Sequence, residues 1–137
     1  MPKLKLKIVT PEKVLLDAEA DSVSCPTQMG EITILPNHIP LVASLAPGEM
    51  KIVENGSARH MAVAGGVVEV RRQNEIVVLA DAAEAEEEID IKRAEEAKAR
   101  ARKVMSEKTL SEEEYAATAA ALEKALTRLR VARRKRH

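Results

Sequence analysis

Between residues 3 and 8 the chain alternates strictly, with Leu4, Leu6 and Ile8 set against Lys3, Lys5 and Lys7. A period of two puts one set on a buried face and the other in water, which predicts a half-buried strand that Pro11 ends. Val23 and Cys25 repeat the pattern ahead of Pro26, and Ile32–Leu35 follows Gly30. Asn55-Gly56 lies between Lys51-Ile52-Val53 and His60–Ala64, and this dipeptide readily supplies the positive φ angles that a two-residue hairpin turn needs. Gln73-Asn74 separates Val67–Val70 from Ile76–Leu79 in the same manner. Short strands at this spacing, with no helical crossover between them, predict an antiparallel sandwich or barrel and exclude a parallel α/β fold.

Near Ala83–Glu88 the period changes. Ile91, Ala94, Ala97, Ala101, Val104 and Met105 mark one face of a helix, and Asp90 is placed to cap its start. Ser106–Leu110 reads as a break. Ser111 with Glu114 forms a capping box, and Leu110 with Tyr115 has the spacing of a hydrophobic staple, so a second helix begins there. Tyr115, Ala119, Leu122, Leu126 and Leu129 form its apolar seam, while Ala117, Ala120, Ala121 and Val131 lie on another side, where small side chains permit close helix approach. The predicted class is α+β: an N-terminal antiparallel β-sandwich over residues 1–85 and a C-terminal two-helix antiparallel hairpin over residues 86–137. A hairpin of this size has too little core to stand alone, so it must dock on its own sandwich or on another chain.

Composition sharpens this division. All five glycines and all six prolines precede residue 67. Residues 1–84 carry eight basic and 11 acidic side chains, a net charge of −3, and residues 85–137 carry 14 and 11, a net charge of +3. With 22 cations against 22 anions over 137 residues, no overall field draws the molecule to nucleic acid or an anionic membrane. Tyr115 is the sole aromatic residue, which removes the stacking platforms of single-stranded nucleic-acid binders. The lone Cys25 excludes an internal disulfide and reads as a core thiol. No run approaches the roughly 18 apolar residues of a membrane span, and the start lacks a leader's apolar core, so the expectation is a soluble cytoplasmic protein.

Catalytic motifs are missing: there is no Ser-His-Asp or Cys-His order, phosphate-binding loop or dinucleotide fingerprint. His38, His60 and His137 lack the companions of a metal site. The acidic run Glu84, Glu86, Glu87, Glu88 and Asp90 reads as a solvated helix entry. Two cationic sets stand out instead. Arg93 and Arg100 share a stripe of the first helix, and Lys124 and Arg128 share a face of the second, so closing the hairpin can bring cations of both helices together. Ordinary surface pairing, such as Glu96 with Arg100 one turn on, is the alternative. The last ten residues hold six cations and no acid, including Arg130, Arg133, Arg134 and Arg136.

Four ordered segments carry a family resemblance: Gly30-Glu31-Ile32-Thr33-Ile34-Leu35-Pro36-Asn37-His38-Ile39-Pro40-Leu41, Ala64-Gly65-Gly66-Val67-Val68-Glu69-Val70, Val78-Leu79-Ala80-Asp81-Ala82-Ala83-Glu84 and Ile89-Asp90-Ile91-Lys92-Arg93-Ala94. Together they resemble the epsilon subunit of bacterial F-type ATP synthase, over essentially the whole chain. Thr33 and Asn37 stand where relatives often carry Gly. The resemblance implies a sandwich of about ten strands at the foot of the rotor and a hairpin that folds down or extends toward the catalytic head. It further implies a non-catalytic subunit that couples the rotor to the membrane ring, restrains ATP hydrolysis through the mobile hairpin, and requires no cofactor. Its expected place is the cytoplasmic face of the bacterial cell membrane, peripheral, within a proton-translocating complex.

By the same resemblance, Glu31, Ile34 and His38 face the central stalk or membrane ring. ATP becomes a regulatory ligand of Glu84, Ile89, Asp90, Arg93, Ala94, Arg100, Lys124 and Arg128, with Lys124 standing where ATP-binding relatives have Arg. Arg130, Arg133, Arg134 and Arg136 are directed to the acidic surface of the catalytic subunits. The implied partners are the gamma subunit of the stalk, the membrane c-ring, and the beta and alpha subunits when the hairpin extends, with no nucleic acid and no direct membrane insertion. The rival reading is a free-standing interaction module that binds nucleic acid or membrane through the basic C-terminal helix.

Overall fold

The computed structural model describes residues 2–107 and 109–135. The chain divides into two compact units, Met1–Ala85 and Glu86–His137.

The first unit is built from β1 (Leu4–Val9), β2 (Val14–Ala20), β3 (Ser22–Thr27), β4 (Gly30–Ile34), β5 (Leu41–Glu54), β6 (Ser57–Val70), β7 (Glu75–Ala80) and β8 (Ala83–Ala85). They hydrogen-bond in the order β2-β1-β7-β6-β5-β3-β4, with β8 added to β6. Leu4, Leu6 and Ile8 of β1 share one buried cluster with Val23 and Cys25 of β3 and Ile34 of β4. Strands far apart in the order therefore meet side to side, so the continuous sheet folds over on itself into a sandwich. Each large aliphatic side chain so buried contributes about 1.5–3 kcal/mol.

Turns fall where backbone chemistry allows positive φ. Asn55 sits at 51° in the β5–β6 turn, and Gln73 and Asn74 at 63° and 61° in the β6–β7 turn. Asn37 takes 68°, whereas Thr33 stays extended in β4 and meets Ser24 hydroxyl to hydroxyl at 3.0 Å. Pro26 does not end its strand as the sequence suggests. It lies inside β3, where the pairing with β5 shifts register between Ser24 and Thr27.

Two features depart from expectation. Eight strands are described rather than about ten, because β5 and β6 each run 14 residues without a break, past Pro47-Gly48 and Gly65-Gly66. The outer edge of β6 pairs with β8 over Met61–Val63 and then with β7 over Gly66–Val70. The two glycines stand at this change of partner with φ of 107° and 125°, a backbone that side chains rarely permit. The second departure is that β1 and β7 run parallel, from Lys5 beside Glu75 to Val9 beside Leu79, in a sheet otherwise antiparallel.

In the second unit a 3₁₀ turn, Glu86–Glu88, precedes α1 (Ile91–Glu107) and α2 (Glu112–Lys135). Asp90 Oδ1 accepts the Arg93 amide at 3.1 Å and caps α1. The capping box of α2 closes both ways: Ser111 Oγ accepts the Glu114 amide at 3.1 Å, and Glu114 Oε1 accepts the Ser111 amide at 3.3 Å. Leu110 and Tyr115 border one recess with Met105, although Tyr115 is 56% exposed. Ser106 lies inside α1, its hydroxyl donating to the Lys103 carbonyl, so the break starts later than the sequence indicates. The helices pack along each other, and Ala94 and Ala101 of α1 and Ala125, Leu129 and Ala132 of α2 are buried. Ala117, Ala120 and Ala121 are exposed and form no second packing face, whereas Val131 is buried.

Candidate functional site

The outer face of the sandwich carries a surface that sequence periodicity does not disclose. Residues directly paired across neighbouring strands share a face. Val14 of β2 pairs with Val9, Val9 with Leu79 of β7, Leu79 with Val67 of β6, and Val67 with Ser44 of β5. This row crosses five strands, and Val14, Leu79 and Val67 are 51%, 53% and 37% exposed. The adjacent row is mixed: Asp17, Lys7, Val77, Glu69 and Val42, the last 66% exposed. Beyond it Lys5 stands between Glu19 and Glu75. Polarity thus grades across the face from aliphatic to charged. Single exposed aliphatics are ordinary, but a contiguous row in register is the pattern of a contact surface.

β4 and the loop that follows it supply the second region. Glu31 is exposed opposite Pro26, and His38 is half-buried, its Nδ1 2.6 Å from the Ile39 carbonyl and its amide donating to the Leu35 carbonyl. Asn74 Oδ1 accepts the Asn37 amide at 2.6 Å and ties this loop to the β6–β7 turn. Ile34 corrects the sequence reading: it is fully buried in the core, so its side chain presents nothing to a partner. Its neighbours Leu35 and Ile39, 56% and 74% exposed, hold the accessible apolar surface instead.

Cys25 beside this loop is buried, and loss of solvation pushes its thiol up to about 12, with the charge of Glu31 acting in the same direction. Such a thiol is no nucleophile near neutral pH.

The third region is the hairpin. Arg93, Arg100 and Lys124 are exposed, and their side chains make no hydrogen bond or ion pair among the described residues, so Glu96 does not occupy Arg100. Arg128 is half-buried. Ile89 and Ala94 are buried and contribute packing rather than polar contacts. Glu84 belongs to β8, in the first unit.

An ion pair between Arg133 and Glu95 fixes how the helices run beside one another. Counting equal steps along α1 from Glu95 and back along α2 from Arg133 brings Arg100 level with Arg128, and Val104 with Lys124, to within about one turn. At 1.5 Å per residue, Lys124 lies about 6 Å along the axis from that level and Arg93 about 10 Å on the other side. Of the tail cations, Arg130 and Arg133 are exposed on α2, while Arg136 and the side chain of Arg134 lie outside the described residues.

Among the described residues no helix is long and apolar enough to cross a membrane. Residues 3–86 match the family profile described as the ATP synthase delta/epsilon chain β-sandwich domain, and residues 87–133 match that of its long α-helix domain. An ATP synthase epsilon chain of Dehalococcoides mccartyi is 46% identical over 136 residues, covering 99% of this chain and 96% of the relative. One from Herpetosiphon aurantiacus is 42% identical over 134 residues, covering 98% and 97%. Among solved structures, a chain of the Euglena gracilis mitochondrial ATP synthase (OSCP/F1/c-ring) superposes with a TM-score of 0.80 at 22% identity, over 93% of this chain and 79% of that one. A chain of the central stalk/c-ring of Tetrahymena thermophila mitochondrial ATP synthase gives 0.67 at 17%, over 95% and 96%, and at such identities the likeness speaks for the fold. With both units matched in order and relatives aligned along almost their full length, the chain belongs to the ATP synthase delta/epsilon family, among the epsilon chains, a non-catalytic subunit of that complex.

Proposed function

We propose that the sandwich is the attachment point of this subunit to the gamma subunit of the central stalk, through the row Val14, Val9, Leu79 and Val67. The observation that carries this reading is the row itself: an aliphatic stripe in register across strands gains about 25 cal/mol for each Å² that a partner removes from water. The charged side chains beside it, Asp17, Lys7 and Glu69, set orientation. Glu31, His38, Leu35 and Ile39 border the membrane c-ring, placing the complex-bound protein at the cytoplasmic face without inserting it.

The hairpin regulates. Extended, its basic tail meets acidic surface on the beta and alpha subunits and restrains ATP hydrolysis. Closed, it takes ATP. Arg100, Arg128 and Lys124 fall within about one helical turn along the axis, the span of a triphosphate, while Arg93 and Asp90 stand toward the nucleoside end. Asp90 keeps Oδ2 without a hydrogen bond among the described residues, because the cap uses only Oδ1. ATP bound to the closed form alone shifts the hairpin toward closure by its difference in affinity for the two states.

The test is purification of the complex with Val67→Glu and Leu79→Glu. Both are exposed, so each subunit should remain folded by circular dichroism but be lost from the complex. Full retention of the doubly substituted subunit removes this face from the assembly.

A further inference from the structure

The helices α1 and α2 pack along each other, and the buried side chains they carry include the small alanines 94, 101, 125 and 132 beside the larger Leu129 and Val131. Alanines remove little apolar surface from water, so polar contacts between the helices also weigh in the balance between closed and open. Arg133 and Glu95 form one, with side chains 49% and 40% exposed. Glu95 lies in the second turn of α1 and Arg133 in the last turn of α2, so the pair sits at the mouth of the hairpin, remote from the connection between the helices.

We infer that Glu95 is an internal competitor for Arg133, occupying in the closed hairpin the guanidinium that an acidic partner surface takes when the hairpin opens. The inference rests on the regulatory reading of the basic tail. Its physical basis is exclusivity of place: Arg133 with Nη2 beside Glu95 Oε1 on α1 cannot at the same time lie against a carboxylate of another surface. Exchange of one carboxylate for another leaves the charge balance of Arg133 almost unchanged. Opening therefore does not strand an unpaired cation, and the two states stay close in free energy, as a responsive switch requires. Glu95 sets where the balance lies. A hairpin without it begins with one tail cation already free.

The experiment uses the full chain, alone and in the assembled enzyme. In the isolated subunit, Glu95→Gln should raise hydrogen exchange of the α2 amides around Leu129 by about two- to fivefold at low salt, the range of an exposed ion pair. The exchanged pair, Glu95→Arg with Arg133→Glu, should restore protection. In the enzyme, Glu95→Gln should lower ATP hydrolysis, while the exchanged pair, closed but carrying the wrong charge for an acidic surface, should raise it above wild type. Unchanged exchange in Glu95→Gln, or an exchanged pair that stays unprotected, overturns the competitor. If deleting residues after Glu88 changes hydrolysis but Glu95→Gln does not, the competitor role falls and hairpin regulation stands. If the deletion also has no effect, the regulatory reading fails and the inference goes with it.

Discussion

Gly66 passes so close to Leu79 that a Cβ built on it would lie 2.1 Å from the Leu79 carbonyl oxygen. The two residues stand one step apart in the β6–β7 ladder, where Val67 pairs with Leu79 and Gly66 with Ala80. Gly66→Ala therefore meets backbone, which cannot swing aside, at a φ of 125° that opposes any side chain. We expect a loss of more than about 2 kcal/mol in urea unfolding. An alanine variant as stable as wild type would show that β6 can straighten without penalty.

Cys25 should resist alkylation at pH 8 in the folded protein and react readily in urea. Burial holds its thiol near 12, so almost none is thiolate at that pH. Mass spectrometry after brief iodoacetamide treatment reads this directly, and rapid labelling of the native chain contradicts it.

Lys3 donates to Asp21 Oδ1 at 2.6 Å and to Asn55 Oδ1 at 2.9 Å, while Asp21 Oδ2 accepts the Asn55 amide at 2.7 Å. The hydrogen bond from Lys3, then that from the Asn55 amide, lowers the Asp21 carboxyl below its ordinary 3.8, and the bond to Asp21 raises Lys3 above 10.5. The carboxylate's contribution is present above the ordinary Asp value and lost as pH falls through the lowered one. That of the lysine is present below the ordinary Lys value and lost as pH rises through the raised one. Asp21→Asn should remove the acid-side dependence, seen as a stability profile that no longer falls through this carboxyl's titration. An unaltered acid limb means the cluster titrates without holding the hairpin tip.

Calorimetry should detect ATP binding to the isolated chain, and Arg93→Ala should weaken it roughly 10- to 150-fold, the equivalent of one charge-assisted hydrogen bond. Lys124→Arg should strengthen it modestly by supplying a forked donor. No heat at millimolar ATP, or wild-type affinity in Arg93→Ala, strikes out the nucleotide site.

Features set by neighbours in the chain were legible in the sequence. Asn55-Gly56 announces its turn, and Ser111 with Glu114 its helix start, because both are contests among local backbone bonds. The length of β5 and β6 was not legible, since Gly65-Gly66 reads as a break unless the crossing of another strand is known. Nor was the parallel partnership of β1 and β7, which depends on residues about seventy positions apart. The aliphatic row was hidden by its neighbours. Val67 beside Val68, and Leu79 beside Ala80, are apolar on both faces, and alternation is lost where both faces of a strand are to be covered. Ile34 shows the converse, a residue of a resemblance-bearing segment that serves the core.

The parallel pairing of β1 with β7 also bears on biosynthesis. When the ribosome has released β1 and β2, they can form only a two-stranded ribbon, which is marginal in water. The second strand neighbour of β1, β7, ends at Ala80, so the β1 edge and the apolar face of Leu4, Leu6 and Ile8 stay incompletely covered while most of the sandwich is translated. Lys3, Lys5 and Lys7 punctuate that apolar stretch and act as gatekeepers against association of nascent chains. The first of the described strands is among the last to be sealed, and its lysines guard it in the interval.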